Sequence, residues 1–291
     1  MPHESAMSAG GLRDAANAVP PRGGAAASAR PGGDHALAIL DVSRTFAGMR
    51  GSAPTQALLP TSLAVADNDF ITILGPSGCG KSTLLRIVAG LDVPTTGEVR
   101  LDGRPVRGPG ADRGMVFQSY TLFPWLTVEE NICFGLREKG IARARQAQIA
   151  AHYVATVGLA GFERHYPKML SGGMQQRTAI ARALANEPRI LLLDEPFGAL
   201  DNQTRALMQE LLLAIWERER KTVLFVTHDI EEAIFMANRV VVMTARPGRI
   251  KAEVAVPFPH PRHYTVKTSP AFSELKARLT EEIRVEALKS A

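Results

Sequence analysis

The segment Gly75-Pro76-Ser77-Gly78-Cys79-Gly80-Lys81-Ser82 constrains this chain more than any other. It has the pattern G-x-x-x-x-G-K-[ST], set between the apolar run Phe70-Ile71-Thr72-Ile73-Leu74 and a stretch where Leu84, Leu85, Ile87 and Val88 recur at helical spacing. Strand, glycine turn and helix in that order make a phosphate-binding loop, because the glycines let successive backbone N–H groups converge on anionic oxygens at a helix N-terminus. Lys81 adds a mobile positive charge for the β- and γ-phosphates of a nucleoside triphosphate. Ser82 adds a hydroxyl for the Mg²⁺ that bridges them. Residues Gly75 to Ser82, with Thr83 next on the helix, are the expected nucleotide-binding set.

The rest of the 291-residue sequence sets the context. A 45% hydrophobic content suits a globular protein with a real core. Residues 1–35 differ: Ala, Gly, Ser and Pro dominate, and Pro20-Pro21, Gly23-Gly24 and Gly32-Gly33 break any helix, so a flexible tail is expected there. Met7 is an equally good start. No apolar stretch follows a basic start as in a signal peptide, and the aliphatic runs Ile190 to Leu193 and Val240 to Met243 are too short to span a bilayer. Two cysteines, Cys79 and Cys133, offer neither a disulfide framework nor metal-ligand spacing, which suits a reducing cytosol. Cys79 is a passive loop residue or, at a helix N-terminus, a redox-sensitive thiol. The net charge of +5 comes without a Lys/Arg run or a basic stripe interleaved with aromatics, so no nucleic-acid partner is expected.

Short strands are expected at Ala36 to Val42, Leu63 to Val65, Gly97 to Leu101 and Gly114 to Phe117. From Thr127, a good N-cap ahead of Glu129 and Glu130, to about Gly158 the pattern is helical, so a helical insert interrupts the α/β core. The core resumes with Ile190 to Leu193, a helix over Gln203 to Arg218, the strand Thr222 to Val226, a helix over Glu231 to Ala237 and the strand Arg239 to Met243. Continuous aliphatic strands alternating with helices indicate a mostly parallel sheet buried on both faces. Pro257, Pro259 and Pro261 then make an extended linker. Beyond it Ser269-Pro270 starts a helix with Phe272, Leu275, Leu279 and Ile283 on one face, which packs back on the body or docks a partner.

Two further segments carry chemistry. Ile190-Leu191-Leu192-Leu193-Asp194-Glu195 is an aliphatic strand ending in adjacent acids, which either runs simply into a polar loop or fits an element whose first acid orders a Mg²⁺ shell and whose second can polarise water. Leu170-Ser171-Gly172-Gly173-Met174-Gln175-Gln176-Arg177 leads into a helix whose start is a second anion-binding N-terminus, or simply one with Ser171 as its cap.

Together these segments resemble, over residues 37 to 250, the ATP-binding cassette (ABC) family. The resemblance implies a P-loop NTPase fold: a RecA-like α/β core, an antiparallel β subdomain and an inserted α-helical subdomain over about 119–175. The cassette would span 36–250, and the linker and helix 251–291. Ser171, Gly172, Gly173 and Met174 match the signature segment, with Met174 where most members carry glutamine. Gln118 matches the glutamine that senses the γ-phosphate, Gly198-Ala199-Leu200-Asp201 the D-loop and His228 the switch histidine. Phe46 stands where the family stacks an aromatic ring on adenine, although an apolar strand residue is also a core candidate.

The resemblance also implies a mechanism. Two copies, or a heterodimer with another cassette, face head to tail, so that Ser171 and its neighbours in one close over ATP held by Lys81 of the other. Glu195, His228 and Gln118 would be catalytic, and Ser82, Gln118 and Asp194 would hold Mg²⁺, Asp194 through water. The pore would come from separate permease subunits, whose coupling helix would enter a groove near Phe123 and Trp125 unless those rings belong to the insert's core. A periplasmic or lipid-anchored binding protein would take part indirectly, with this chain peripheral on the cytoplasmic face of a bacterial inner membrane. Leu74 to Asp92, Met169 to Pro188 and Ala245-Arg246-Pro247-Gly248-Arg249-Ile250 resemble the ATPase subunits of nitrate, taurine and aliphatic-sulfonate importers. An importer of another solute class is the alternative, and a cassette acting on nucleic acid or the ribosome a more distant one.

Overall fold

The computed structural model describes residues 35–48 and 53–289. Strands β1 (Leu37–Phe46) and β2 (Thr55–Val65) come first, and β3 (Phe70–Leu74) then runs into helix α1 (Lys81–Val88). Strands β4 (Thr96–Leu101), β5 (Arg104–Pro105) and β6 (Arg113–Val116) precede helices α2 (Val128–Glu138), α3 (Arg143–Thr156) and α4 (Gly172–Ala185). Strand and helix then alternate through β7 (Ile190–Asp194), α5 (Asn202–Glu219), β8 (Thr222–Thr227), α6 (Ile230–Met236) and β9 (Arg239–Met243). Strand β10 (Ile250–Ala255) and helix α7 (Pro270–Leu288) follow. Apart from His35, the tail expected over residues 1–35 lies outside the described residues.

The central sheet has the order β10-β9-β3-β8-β7-β6, parallel except for β10. Every residue of β3, β7 and β8 is buried, as expected of parallel strands covered on both faces. Alternation sorts their side chains: Phe70, Leu74, Leu191, Leu193, Val223 and Phe225 face the core under α4, α5 and α6. Ile71, Ile73, Ile190, Leu192, Leu224 and Val226 face a second core under α1 and the antiparallel sheet β2-β1-β4-β5. Two-sided burial explains why these strands read as unbroken aliphatic runs.

Three local results differ from the sequence expectations. The strand expected at Leu63 to Val65 is the end of the 11-residue β2. The central sheet continues past residue 250, because β10 pairs with β9 from Ile250↔Met243 to Ala255↔Arg239. The helical insert is broken near Gly140 (φ 69°), which separates α2 from α3. Thr127 does cap α2: its Oγ1 accepts the Glu130 N–H at 3.3 Å while Glu130 Oε2 accepts the Thr127 N–H at 2.8 Å.

Helix α7 packs back on the body. Phe272 and Leu279 are fully buried in the core, with Leu275 and Ile283 beside them, and burying two such side chains contributes roughly 1.5–3 kcal/mol each. The strap before it is tied by Arg262, whose Nη1 donates to the carbonyls of Ile234, Phe235 and Ala237 at the end of α6. Among the described residues no helix is long and apolar enough to cross a membrane.

Candidate nucleotide site

Parallel strands expose all their C-terminal ends along one edge, and in open α/β sheets ligands bind beyond that edge. Here the edge gathers the loop after β3, Gln118 after β6, Asp194 and Glu195 at the end of β7, and His228 after β8. Segments more than a hundred residues apart in the chain thus meet at one place.

The loop Gly75 to Ser82 joins β3 to α1, with Thr83 in the first turn of the helix. Gly80 caps α1 at φ 103°, in the left-handed region where glycine is favoured, and a Cβ there would stand 2.6 Å from Leu58 Cδ2. Lys81 is buried, and its Nζ donates to the carbonyls of Gly75 at 2.8 Å and Pro76 at 2.9 Å. The ammonium therefore folds back over its own loop. Ser77 and Gly78 are exposed, whereas Cys79 is buried, and burial pushes its thiol above the usual range despite Lys81 beside it. A buried thiol of raised pKa is inert, so the passive reading of Cys79 holds.

Ser82 Oγ donates to Asp194 Oδ1 at 2.8 Å. Burial pushes the Asp194 carboxyl up, and the Ser82 bond acts against that. Two oxygen donors brought to one point suit a hard cation such as Mg²⁺, which prefers oxygen ligands and few protein ones. Glu195 sits in the left-handed region at φ 44° and donates its N–H to Val226 O at 3.0 Å, a non-glycine conformation that local bonding must sustain. Its Oε2 lies 3.0 Å from His228 Nδ1 and takes a longer bond, 3.5 Å, from Gln118 Nε2. The imidazole tautomer sets which atom donates in the His228 contact. Gln118, Glu195 and His228 thus share one oxygen.

The other expected residues lie elsewhere. Ser171 caps α4, accepting from the Met174 N–H at 3.3 Å. A Cβ on Gly172 would meet Tyr120 Oη at 2.9 Å, and one on Gly173 would meet Thr204 Cγ2 at 2.7 Å. Among the described residues, no hydrogen bond links Ser171 to Met174 with the phosphate loop of the same chain. Asp201 caps α5 through Gln203 and Thr204, which hold its carboxyl below the usual range. Phe46 ends β1, exposed, with the Arg44 guanidinium 4.6 Å from its ring centroid. Arg44 pairs with Leu58, the side chain against Gly80, so this end of β1 lies beside the phosphate loop rather than in the core.

Trp125 is 70% exposed and is no core residue, whereas Phe123 is half-buried with its centroid 4.3 Å from that of Phe134. The segment joining them to Gln118 is held from two helices. Arg182 of α4 donates to Thr121 O at 2.8 Å, and the fully buried Asn131 of α2 donates to the carbonyls of Phe123, Leu126 and Thr127 while accepting the Phe123 N–H.

Sequence reasoning missed the supports of the phosphate loop. Arg246 Nε donates to Gly78 O at 3.3 Å, and a Cβ on Gly248 would lie 1.8 Å from Cys79 O. Gly248 also exchanges backbone bonds of 2.9 Å with Ala57 and Leu59 of β2. No local signal marks these contacts, because their partners lie about 170 to 190 residues away in the chain.

The ABC transporter family pattern matches residues 58–198. An ABC transporter ATP-binding protein of Methanocaldococcus jannaschii is 56% identical over 81% of this chain and 87% of its own. The chain belongs to the ATP-binding cassette transporter family. Within that family, the nitrate import ATP-binding protein NrtD of Synechocystis is 48% identical over 84% of this chain and 97% of its own. The aliphatic sulfonates import ATP-binding protein SsuB of Bacillus licheniformis is 47% identical over 80% and 89%. A solved ABC cassette, a dimer in a post-hydrolysis state bound to ADP and Pi, superposes with TM-score 0.68 at 36% identity, covering 77% of this chain and all of that one. The cassette fold, with its central α/β sheet, antiparallel β sheet and helical insert, is therefore that of the ABC ATPases.

Proposed function

We propose that this cassette is the ATP-hydrolysing subunit of an importer whose channel lies in separate membrane subunits, and that its cargo is a small oxyanion or sulfonate of the nitrate, taurine or aliphatic-sulfonate kind. The convergence of Gln118, Glu195 and His228 on one carboxylate oxygen, beside the Ser82–Asp194 pair, carries the ATPase reading. The names of the relatives support the importer reading.

In this reading Gly75 to Thr83 bind the triphosphate, with Phe46 against the adenine. Ser82, Gln118 and Asp194 would hold Mg²⁺, which would supply positive charge against the β- and γ-phosphates. Glu195 accepts a proton from the attacking water as the bond to ADP breaks and phosphate leaves, and His228 steadies the γ-phosphate. Ser171, Gly172, Gly173 and Met174 offer an anion-binding helix start, directed at ATP on a second cassette, and Asp201 lies at that interface. The dimeric relatives support this arrangement. Trp125 and Phe123 receive the permease, which keeps the chain peripheral on the cytoplasmic side. The solute-binding protein contacts only the permease, so no residue here selects the cargo.

The test is hydrolysis by the full chain alone, with DNA, with ribosomes, and with vesicles holding a permease encoded beside it. Stimulation by the vesicles and their solute-loaded binding protein is expected. Stimulation by DNA or ribosomes instead would overturn the transport reading, and no hydrolysis under any condition would overturn the ATPase reading.

A further inference from the structure

Helix α6 is seven residues long and starts two residues after His228, so any displacement of the helix moves that imidazole. Two polar rungs tie it to α5, the helix capped by Asp201. Arg205 and Gln209 stand four apart on one face of α5, and Asp229 and Glu232 stand at the start of α6. In the first rung Arg205 Nη1 lies 3.7 Å from Asp229 Oδ2, while its Nη2 donates to Leu200 O at 3.0 Å, next to Asp201. In the second, Gln209 Nε2 donates to Glu232 Oε1 at 3.0 Å.

The second rung is the informative one. Gln209 is 3% exposed and Glu232 4%, so both polar heads have been taken out of water. Burial pushes the Glu232 carboxyl up, against bonds from Thr227 and Gln209. A pair of leucines would fill such a space without that desolvation, so what the polar pair adds is a directional link between two helices. The link extends to the C-terminal strap: Lys267 Nζ donates to Gln209 Oε1 at 2.9 Å and lies 4.3 Å from the Phe235 ring centroid on α6. Glu232 also donates its own N–H to Asp229 Oδ1 at 3.0 Å, which couples the rung to the turn that carries His228.

We propose that Gln209 and Glu232 are positioning residues that register α6 against α5 and so hold His228 on Glu195, with Lys267 latching the pair from the strap. This rests on the reading of Glu195 and His228 as the hydrolytic pair. A rung that sets orientation affects turnover and leaves the phosphate loop, hence nucleotide binding, untouched.

The experiment measures steady-state hydrolysis of MgATP and thermal unfolding in the full chain. Glu232→Leu and Gln209→Leu are each expected to lower kcat about ten-fold with KM within two-fold of the unaltered chain. Glu232→Gln, which keeps an acceptor for Gln209, should retain kcat within two-fold, and the double leucine variant should lose no more than either single one. Retained kcat in both leucine variants overturns the inference, as does a KM that rises in step with the loss, or an equal loss in Glu232→Gln. Where Glu232→Leu does not fold, Gln209→Leu and Lys267→Met decide by the same criteria, with about three-fold expected for the latch. An unaltered chain without turnover overturns the underlying ATPase reading instead.

Discussion

His228 Nδ1 and Glu195 Oε2 stand 3.0 Å apart, although 32 residues separate them in the chain and each follows a different strand. The contact spans the adjacent ends of β7 and β8, which pair in parallel up to Asp194↔Val226. Sheet register therefore brings the two residues to neighbouring strand ends.

That geometry predicts the behaviour of Glu195→Gln. The amide keeps the shape of the side chain but removes the basic oxygen, so turnover should fall about 10²–10⁴-fold. Lys81 and the loop are untouched, so nucleotide affinity should stay within a factor of about three. Phosphate release and equilibrium ATP binding, measured on the same preparation, check both halves. Near-normal hydrolysis would remove Glu195 from the mechanism.

Gly248→Ala should damage a loop that it does not belong to. Its Cβ would lie 1.8 Å from Cys79 O, a backbone atom, so the phosphate loop or the turn must move. Such overpacking costs about 1–3 kcal/mol, and weaker ATP binding should accompany a lower melting temperature. Gly108→Ala, with nothing within 4 Å of its Cβ, is the control and should change neither. Equal behaviour of the two variants would refute the supporting role of Gly248.

Trp125→Ala separates docking from folding. The ring is 70% exposed, so its removal should change stability by no more than about 0.5 kcal/mol. If Trp125 anchors the permease, association should weaken by about 2 kcal/mol or more, seen as lost co-purification from detergent extracts. Phe123→Ala should also lower the melting temperature, because that ring packs on Phe134 and under Arg182. Full retention of the permease by Trp125→Ala would exclude the docking role.

The C-terminal helix should loosen in acid. Burial pushes Glu286 up, but bonds from Lys289, Lys251 and the Ala245 N–H outweigh it and bring the carboxyl down to about 2, against an ordinary value of 4.5. Because the folded value is the lower one, the unfolded chain takes up the proton first. Stability from this group is complete above pH 4.5 and is lost as the pH falls towards 2. Denaturant unfolding of the unaltered chain and of Glu286→Gln at pH 7, 4.5 and 3 should give a gap that narrows as the pH falls. A gap independent of pH would show that the carboxylate charge is not what matters.

Much of the site is legible in the sequence because its parts are local. A glycine loop between a strand and a helix, two acids at the end of an aliphatic strand and a serine before two glycines each carry their geometry within a few residues. Phe46 and Trp125 are not legible in this way, since a ring on a strand or in a loop looks the same whether it is buried or exposed. Strand β10 was hidden for a similar reason: a polar edge strand gains its place from pairing with β9, and its own composition does not announce it.

The sequence alone therefore determined the candidate groups of this cassette, because a glycine loop, the hydroxyl and carboxylates beside it and the helix caps depend on short-range backbone conformation and residue type. Only the tertiary structure decided which oxygen Gln118, Glu195 and His228 share, what holds the phosphate loop from below, and how Gln209 finds Glu232. Those relations are distances between segments far apart in the chain, set by sheet register and helix packing, and no run of residues encodes them by itself.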